Sequence, residues 1–214
     1  MSLTNLGLVD HAKKALNEKW GYVYGTYGQT LTEKVLDSKL KQYPNNIKQY
    51  ESFIRTNWLG KRATDCVGLI KSYMWWTNNG PAYNSKTDVS ANGMYNAAKE
   101  KGDLSTIPEI PGICVHKDQH IGVYIGNGQV IESKGTKYGV VQTPLKGSGS
   151  NNWQHWLKCP YIEYLEEKDE LKEAVDYICN KSGIMPEYWY KKAKEIQYLN
   201  LAFIKIAKAW REML

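Results

Sequence analysis

A hairpin signal past the midpoint of the chain constrains its fold more than any other feature. His120-Ile-Gly-Val-Tyr-Ile reads as a strand, Asn127-Gly128 as a tight turn, and Gln129-Val-Ile-Glu-Ser as the returning strand. In a regular hairpin, positions 121–125 pair with 129–133, which brings Glu132 close to His120. Gly112–His116 and Gly139–Thr143 read as flanking strands, and Trp153–Tyr164 holds one more short strand. Short connections of this kind join antiparallel neighbours.

The first half of the chain reads as helical. Leu8, Ala12, Ala15 and Leu16 recur at helical spacing within Leu6–Lys19. Residues 30–58 suggest two helices, split at Tyr43-Pro44-Asn45-Asn46, with Thr30 or Thr32 as a cap. Residues 61–65 are polar and loop-like. A buried helix is predicted from Cys66 through Trp76, stopped by Asn79-Gly80-Pro81. Another runs from its cap at Ser90 to Lys101, ended by Gly102. Helices first and antiparallel strands second make an α+β domain over residues 1–164. From Leu165 the pattern changes. Leu171, Ala174, Val175 and Ile178 form a stripe, Ser182-Gly183 a stop, Pro186 a start, and Tyr198–Met213 a third helix. Residues 165–214 thus read as a small three-helix module.

Charge and composition narrow the function. The net charge of +6 belongs entirely to residues 1–164, because residues 165–214 carry nine basic and nine acidic side chains. A mildly basic domain suits an anionic partner such as nucleic acid, a membrane surface or the bacterial wall. With no run of five Lys or Arg, nucleic acid is not favoured. No apolar run reaches the length of a membrane span, and Met1–Asp10 lacks the pattern of a secretory signal. Cys66, Cys114, Cys159 and Cys179 show no CxxC spacing and are expected as free thiols. Sixteen Tyr and eight Trp against two Phe suit peptide or carbohydrate ligands, or reflect compositional drift.

The chemistry centres on Asp65-Cys66-Val67-Gly68-Leu69 and His120-Ile121-Gly122-Val123-Tyr124. A cysteine at a helix N-terminus feels the positive end of the helix dipole, which is expected to lower its pKa. Gly68 is read as leaving room for substrate beside the thiol. His120 can take the thiol proton, and Glu132 can orient the imidazole: a nucleophile, a base and an orienter. Each residue also has an ordinary reading, as a buried thiol, a structural histidine and a solvated strand carboxylate. Cys114, His116 and His120 lack a fourth ligand in local reach. No metal and no cofactor are expected.

These motifs resemble the NlpC-type cell-wall peptidases, papain-like cysteine hydrolases of peptidoglycan. The resemblance rests on Gly21-Tyr22-Val23-Tyr24-Gly25, Asp65–Leu69, Pro111-Gly112-Ile113 and His120–Gly128, and spans about residues 6–164. Three departures stand out: Val67 in place of a serine, Ile113 in place of an aspartate, and an inserted helical stretch at 30–61. The inserted helices look like those of phage-type or mobile-element lysins of Gram-positive bacteria. The resemblance implies a papain-like fold and catalysis by Cys66, His120 and Glu132. It also implies oxyanion donors in the Cys66 N–H and the Tyr22 hydroxyl, and stem-peptide substrates cut between γ-D-glutamate and diaminopimelate. Asp65 either binds a substrate amine or braces its loop. Residues 165–214 serve wall attachment, homo-oligomerisation or support, and Tyr188, Trp189 and Tyr190 either stack on a sugar or form a core. The expected enzyme is made without a signal peptide and acts on the wall, as endolysins do. The rivals are an N-acetylmuramoyl-L-alanine amidase, an acyltransferase on the same fold, and a non-catalytic wall-binding protein.

Overall fold

The structure is a computed structural model that describes residues 3–165, 170–182, 186–195 and 199–212. It divides into two compact units, residues 1–165 and 166–214.

The first unit opens with α1 (Asn5–Asn17), capped by Thr4, whose hydroxyl accepts from the Gly7 N–H at 3.1 Å. Leu8, Ala12 and Ala15 line its buried face. Strand β1 (Tyr27–Thr30) follows, then α2 (Glu33–Gln42), capped by Thr32. Pro44 starts the short α3 (Pro44–Ile47). A 3-10 turn over Lys48–Tyr50 separates it from α4 (Glu51–Asn57), so the second inserted helix is broken into pieces. The insertion has its own small core of Val23, Leu31, Leu36, Ile47, Ile54 and Ala63. Trp58 anchors its end: its ring fills the space a Cβ on Gly21 would need, and its Nε1 donates to the Thr136 carbonyl at 2.7 Å.

Residues 62–64 are not a loop. They form β2 (Arg62–Thr64), antiparallel to β1, with Tyr27 opposite Thr64. The pairing partner lies more than thirty residues away in sequence, and local polarity does not reveal it. Next come α5 (Cys66–Met74), then the small hairpin β3 (Trp76–Thr77) and β4 (Gly80–Pro81), which ends α5 earlier than expected. Then α6 (Ala91–Ala97), capped by Ser90, stops short of Lys101. The reason is that Lys101–Asp103 is β5, paired with a late strand.

Strands β6 (Cys114–Lys117), β7 (His120–Gly126), β8 (Gln129–Gly135), β9 (Gly139–Pro144) and β10 (His155–Leu157) complete a six-stranded antiparallel sheet of order β5-β10-β6-β7-β8-β9. Val123 faces Ile131 and Tyr124 faces Val130, the pairs expected, although the hairpin is not regular: Gly126 faces Gln129 and a bulge lies between Tyr124 and Gly126. Asn127 and Gly128 have φ of 52° and 68°, the backbone of a type I′ turn. Only three residues of the 153–164 segment are strand. Helix α5 packs between α1 and strands β7 and β8. There Leu8, Leu69, Ile70, Ile121, Val123 and Ile131 are almost fully buried, each contributing about 1.5–3 kcal/mol of transfer free energy. Ile113, Val115, Tyr124, Val130 and Trp153 build a second cluster. The architecture is α+β, as the order of elements predicts.

The second unit holds α7 (Glu170–Ser182), α8 (Pro186–Glu195) and α9 (Leu199–Glu212). Gly183, Tyr198 and Met213, read as a helix stop and helix ends, lie outside the described residues. Val175, Cys179 and Ala193 are buried, with Trp189, Tyr190 and Phe203 packed on them. Two of the three aromatic residues proposed for sugar stacking therefore pack on this core, while Tyr188 is exposed. Among the described residues no helix is long and apolar enough to cross a membrane.

Candidate active site

Cys66 is the first residue of α5, and Asp65 is its cap. One carboxylate oxygen of Asp65 accepts from the Gly68 N–H at 2.6 Å and the other from the Gly25 N–H at 2.9 Å. With both oxygens on backbone donors, Asp65 clamps the Tyr22–Gly25 loop to the start of α5. Gly68 has a different role from the one its sequence position suggests. A Cβ there would lie 2.1 Å from the Thr26 carbonyl oxygen, so the glycine lets the helix close against that loop. It does not open space for substrate.

The residues on either side of His120 both touch the thiol. Cys66 Sγ donates to the Gln119 carbonyl at 3.7 Å, and the Ile121 N–H points at the sulfur. The imidazole is held by Glu132, with His120 Nε2 2.7 Å from Glu132 Oε2. Glu132 has no solvent exposure. It also accepts from Thr143 Oγ1 at 2.7 Å and Asn151 Nδ2 at 2.5 Å. Burial pushes its carboxyl up, but the hydrogen bonds from His120, Thr143 and Asn151 outweigh this and hold it below the usual range. With Nε2–H given to Glu132, Nδ1 is the basic nitrogen left to the ring. Trp153 stacks on the imidazole at 5.3 Å, in the space that Gly122 leaves by having no side chain.

The thiol is not acidic in this setting. Burial, then the nearby Asp65 charge, pushes Cys66 up to about 12, against the opposing pull of the Val67, Ile121 and Cys66 N–H groups. The helix terminus alone does not decide thiol acidity, and the expected lowering is overturned. Tyr22 stands close enough to feel Cys66 and Asp65. Burial, with those two groups, raises its phenol far above the ordinary value, so it remains a hydrogen-bond donor at neutral pH.

The sequence reading missed four supporting residues. Thr143 and Asn151 hold Glu132, and Lys117 Nζ holds Asn151 at 2.6 Å. Asn92 Oδ1 accepts from the Gln119 N–H at 2.8 Å, bracing the turn that carries His120. Their one sequence signal is the polar Ser148–Asn152 loop, whose role depends on where it folds back. His116 and His155 face each other across β6 and β10. Among the described residues no group of three or more His, Cys, Asp or Glu is placed to hold a metal ion.

Residues 55–159 match the model of the NlpC/P60 family. Through that segment the chain belongs to the NlpC/P60 family. The match contains Cys66, His120 and Glu132 and begins within α4, so Tyr22 lies outside it. The family is one of cysteine peptidases and peptidoglycan hydrolases, and this NlpC/P60 protein is a cell-wall hydrolase. No curated protein matches the chain. Among solved structures it is similar to the peptidoglycan hydrolase RipB of Mycobacterium tuberculosis, at 19% identity over 75% of this chain and 67% of that one, with a TM-score of 0.39. The P60 domain of a Mycobacterium avium subspecies paratuberculosis antigen is 18% identical over 75% of this chain and 98% of that one, TM-score 0.38. NlpC1 from Trichomonas vaginalis is 16% identical over 71% of this chain and 42% of that one, TM-score 0.41.

Proposed function

We propose that this NlpC/P60 protein hydrolyses the γ-D-glutamyl–diaminopimelate amide of peptidoglycan stem peptides through a Cys66 thioester, in a lysin-type role. The observation that carries the mechanism is the buried Glu132–His120 pair beside a thiol at a helix start. Because the thiol is held near 12, a resident thiolate is a minor species at neutral pH. Sγ therefore gives its proton to His120 Nδ1 as it attacks the amide carbon. The imidazolium so formed is stabilised by the Glu132 carboxylate. The oxyanion is met by the Cys66 N–H and the Tyr22 hydroxyl. His120 then protonates the leaving amine, the C–N bond breaks, and a water activated by His120 hydrolyses the thioester.

Glu132→Gln tests the orienter. The amide keeps an acceptor for Nε2–H but removes the charge that stabilises the imidazolium. The expected result is a fall in kcat of roughly 10–100-fold with KM little changed. An unchanged kcat rejects the role.

The bond is tested by mass spectrometry of purified muropeptides incubated with the protein. New amino groups on diaminopimelate support the endopeptidase. Release of whole stems from muramic acid assigns an amidase instead. Transfer to an added amine points to an acyltransferase, and unchanged muropeptides leave a wall-binding protein.

A further inference from the structure

The inserted helices place a cation and an aromatic ring next to the nucleophile's loop. Tyr43, at the C-terminal end of α2, covers Gly25: a Cβ on that residue would lie 2.3 Å from the Tyr43 ring. Gly25 is the residue whose N–H binds Asp65, and its φ of 78° suits glycine. Tyr43 meets the exposed Tyr24 edge-on, with ring centres 5.0 Å apart, and Lys39 Nζ sits 5.5 Å from the Tyr43 ring centre. The three side chains adjoin one another near Asp65, supplied largely by the insertion, and Tyr24 also feels Cys66.

Lys39 differs from two paired cations of the same unit, Lys71 and Arg55. Lys71 is paired with Asp88 at 2.6 Å, and Arg55 is surrounded by Glu33, Asp37 and Glu51. Among the described residues Lys39 has no carboxylate at ion-pair distance, and its hydrogen bond goes to the neutral Gln42 amide at 3.0 Å. Burial lowers its pKa, while Asp65 and Asp88 act on it from across the same space. A half-buried, aromatic-backed ammonium of this kind strengthens on meeting an anion.

We propose that Lys39, Tyr43 and Tyr24 form a subsite for a free carboxylate adjoining the scissile amide. This rests on the stem-peptide reading above and sharpens it. A γ-glutamyl amide leaves the α-carboxyl group of that residue unbound, either as a free acid or as a carboxamide. Lys39 pairs with the acid and gains little from the carboxamide, so the insertion selects the non-amidated stem.

The test uses the full chain and two synthetic tripeptides, L-Ala-γ-D-Glu-diaminopimelate and its α-carboxamide analogue. Wild type is expected to favour the acid by roughly 10–100-fold in kcat/KM, mainly through KM. In Lys39→Met that ratio collapses towards one, and in Lys39→Arg part of it survives. Lys41→Met, an exposed lysine on the same helix, keeps both ratio and rate. Equal cleavage of the two peptides by wild type overturns the subsite, as does a ratio that survives in Lys39→Met. If wild type leaves both peptides intact, the bond assignment fails first and the subsite falls with it.

Discussion

Cys66→Ala is expected to abolish muropeptide hydrolysis, a loss of roughly 10⁴-fold or more, with no other large change in the protein. The side chain is small, and its hydrogen bond at 3.7 Å to the Gln119 carbonyl is long and weak. Its removal should leave the melting temperature within a few degrees of wild type. Burial of the side chain raises the thiol to about 12. A second readout follows: iodoacetamide should alkylate Cys66 in the free protein at neutral pH much more slowly than it alkylates a free cysteine. Fast alkylation would show a resident thiolate and reject the concerted proton transfer. Full hydrolysis by Cys66→Ala would reject the nucleophile altogether.

Acidification should destabilise the first unit steeply between pH 6.5 and pH 4. Two buried histidines are responsible. His11 is pulled from 6.5 to about 4 by burial, then by Lys14 and Arg62. Its Nε2 lies 2.6 Å from Ser72 Oγ, whose own proton goes to the Leu69 carbonyl, so His11 is the donor in this pair. His116 is lowered to about 4 by burial, then by His155. It stacks on Tyr95 at 4.5 Å and bonds to Asn92. For a base whose folded pKa is depressed, the unfolded chain takes the proton first. Stability is therefore complete above pH 6.5 and is lost as pH falls towards 4, by up to roughly 3 kcal/mol for each histidine. The depressed Glu132 carboxyl acts in the same direction at lower pH, its contribution vanishing as pH falls through its folded pKa. Together these imply a drop of 10 °C or more in melting temperature. His11→Gln should flatten the pH dependence by about half. A melting temperature constant from pH 7 to pH 4.5 would reject this account.

Much of the fold is legible because its signals are local. The caps at Thr32 and Ser90 are short-range hydrogen bonds between a side chain and a backbone N–H three residues on. The Asn127-Gly128 turn fixes which strands pair, and a bulge between Tyr124 and Gly126 then offsets β7 by one residue against β8. Through that register Glu132 lies near His120. The helix start at Cys66 likewise follows from Asp65 and the apolar run after it.

The remainder required the tertiary structure. The β2 strand is decided by β1, whose hydrogen-bonding groups come from a remote segment. The acidity of Cys66 depends on how completely the fold removes it from water, and burial outweighs the helix dipole. Asn151 and Trp153 reach Glu132 and His120 from a returning loop, and Gly68 is needed because Thr26 lies against it. Capping, turn geometry and apolar periodicity act within a few residues and can be read along the chain. Desolvation, close approach and strand pairing depend on which distant atoms become neighbours, so the folded structure decides them.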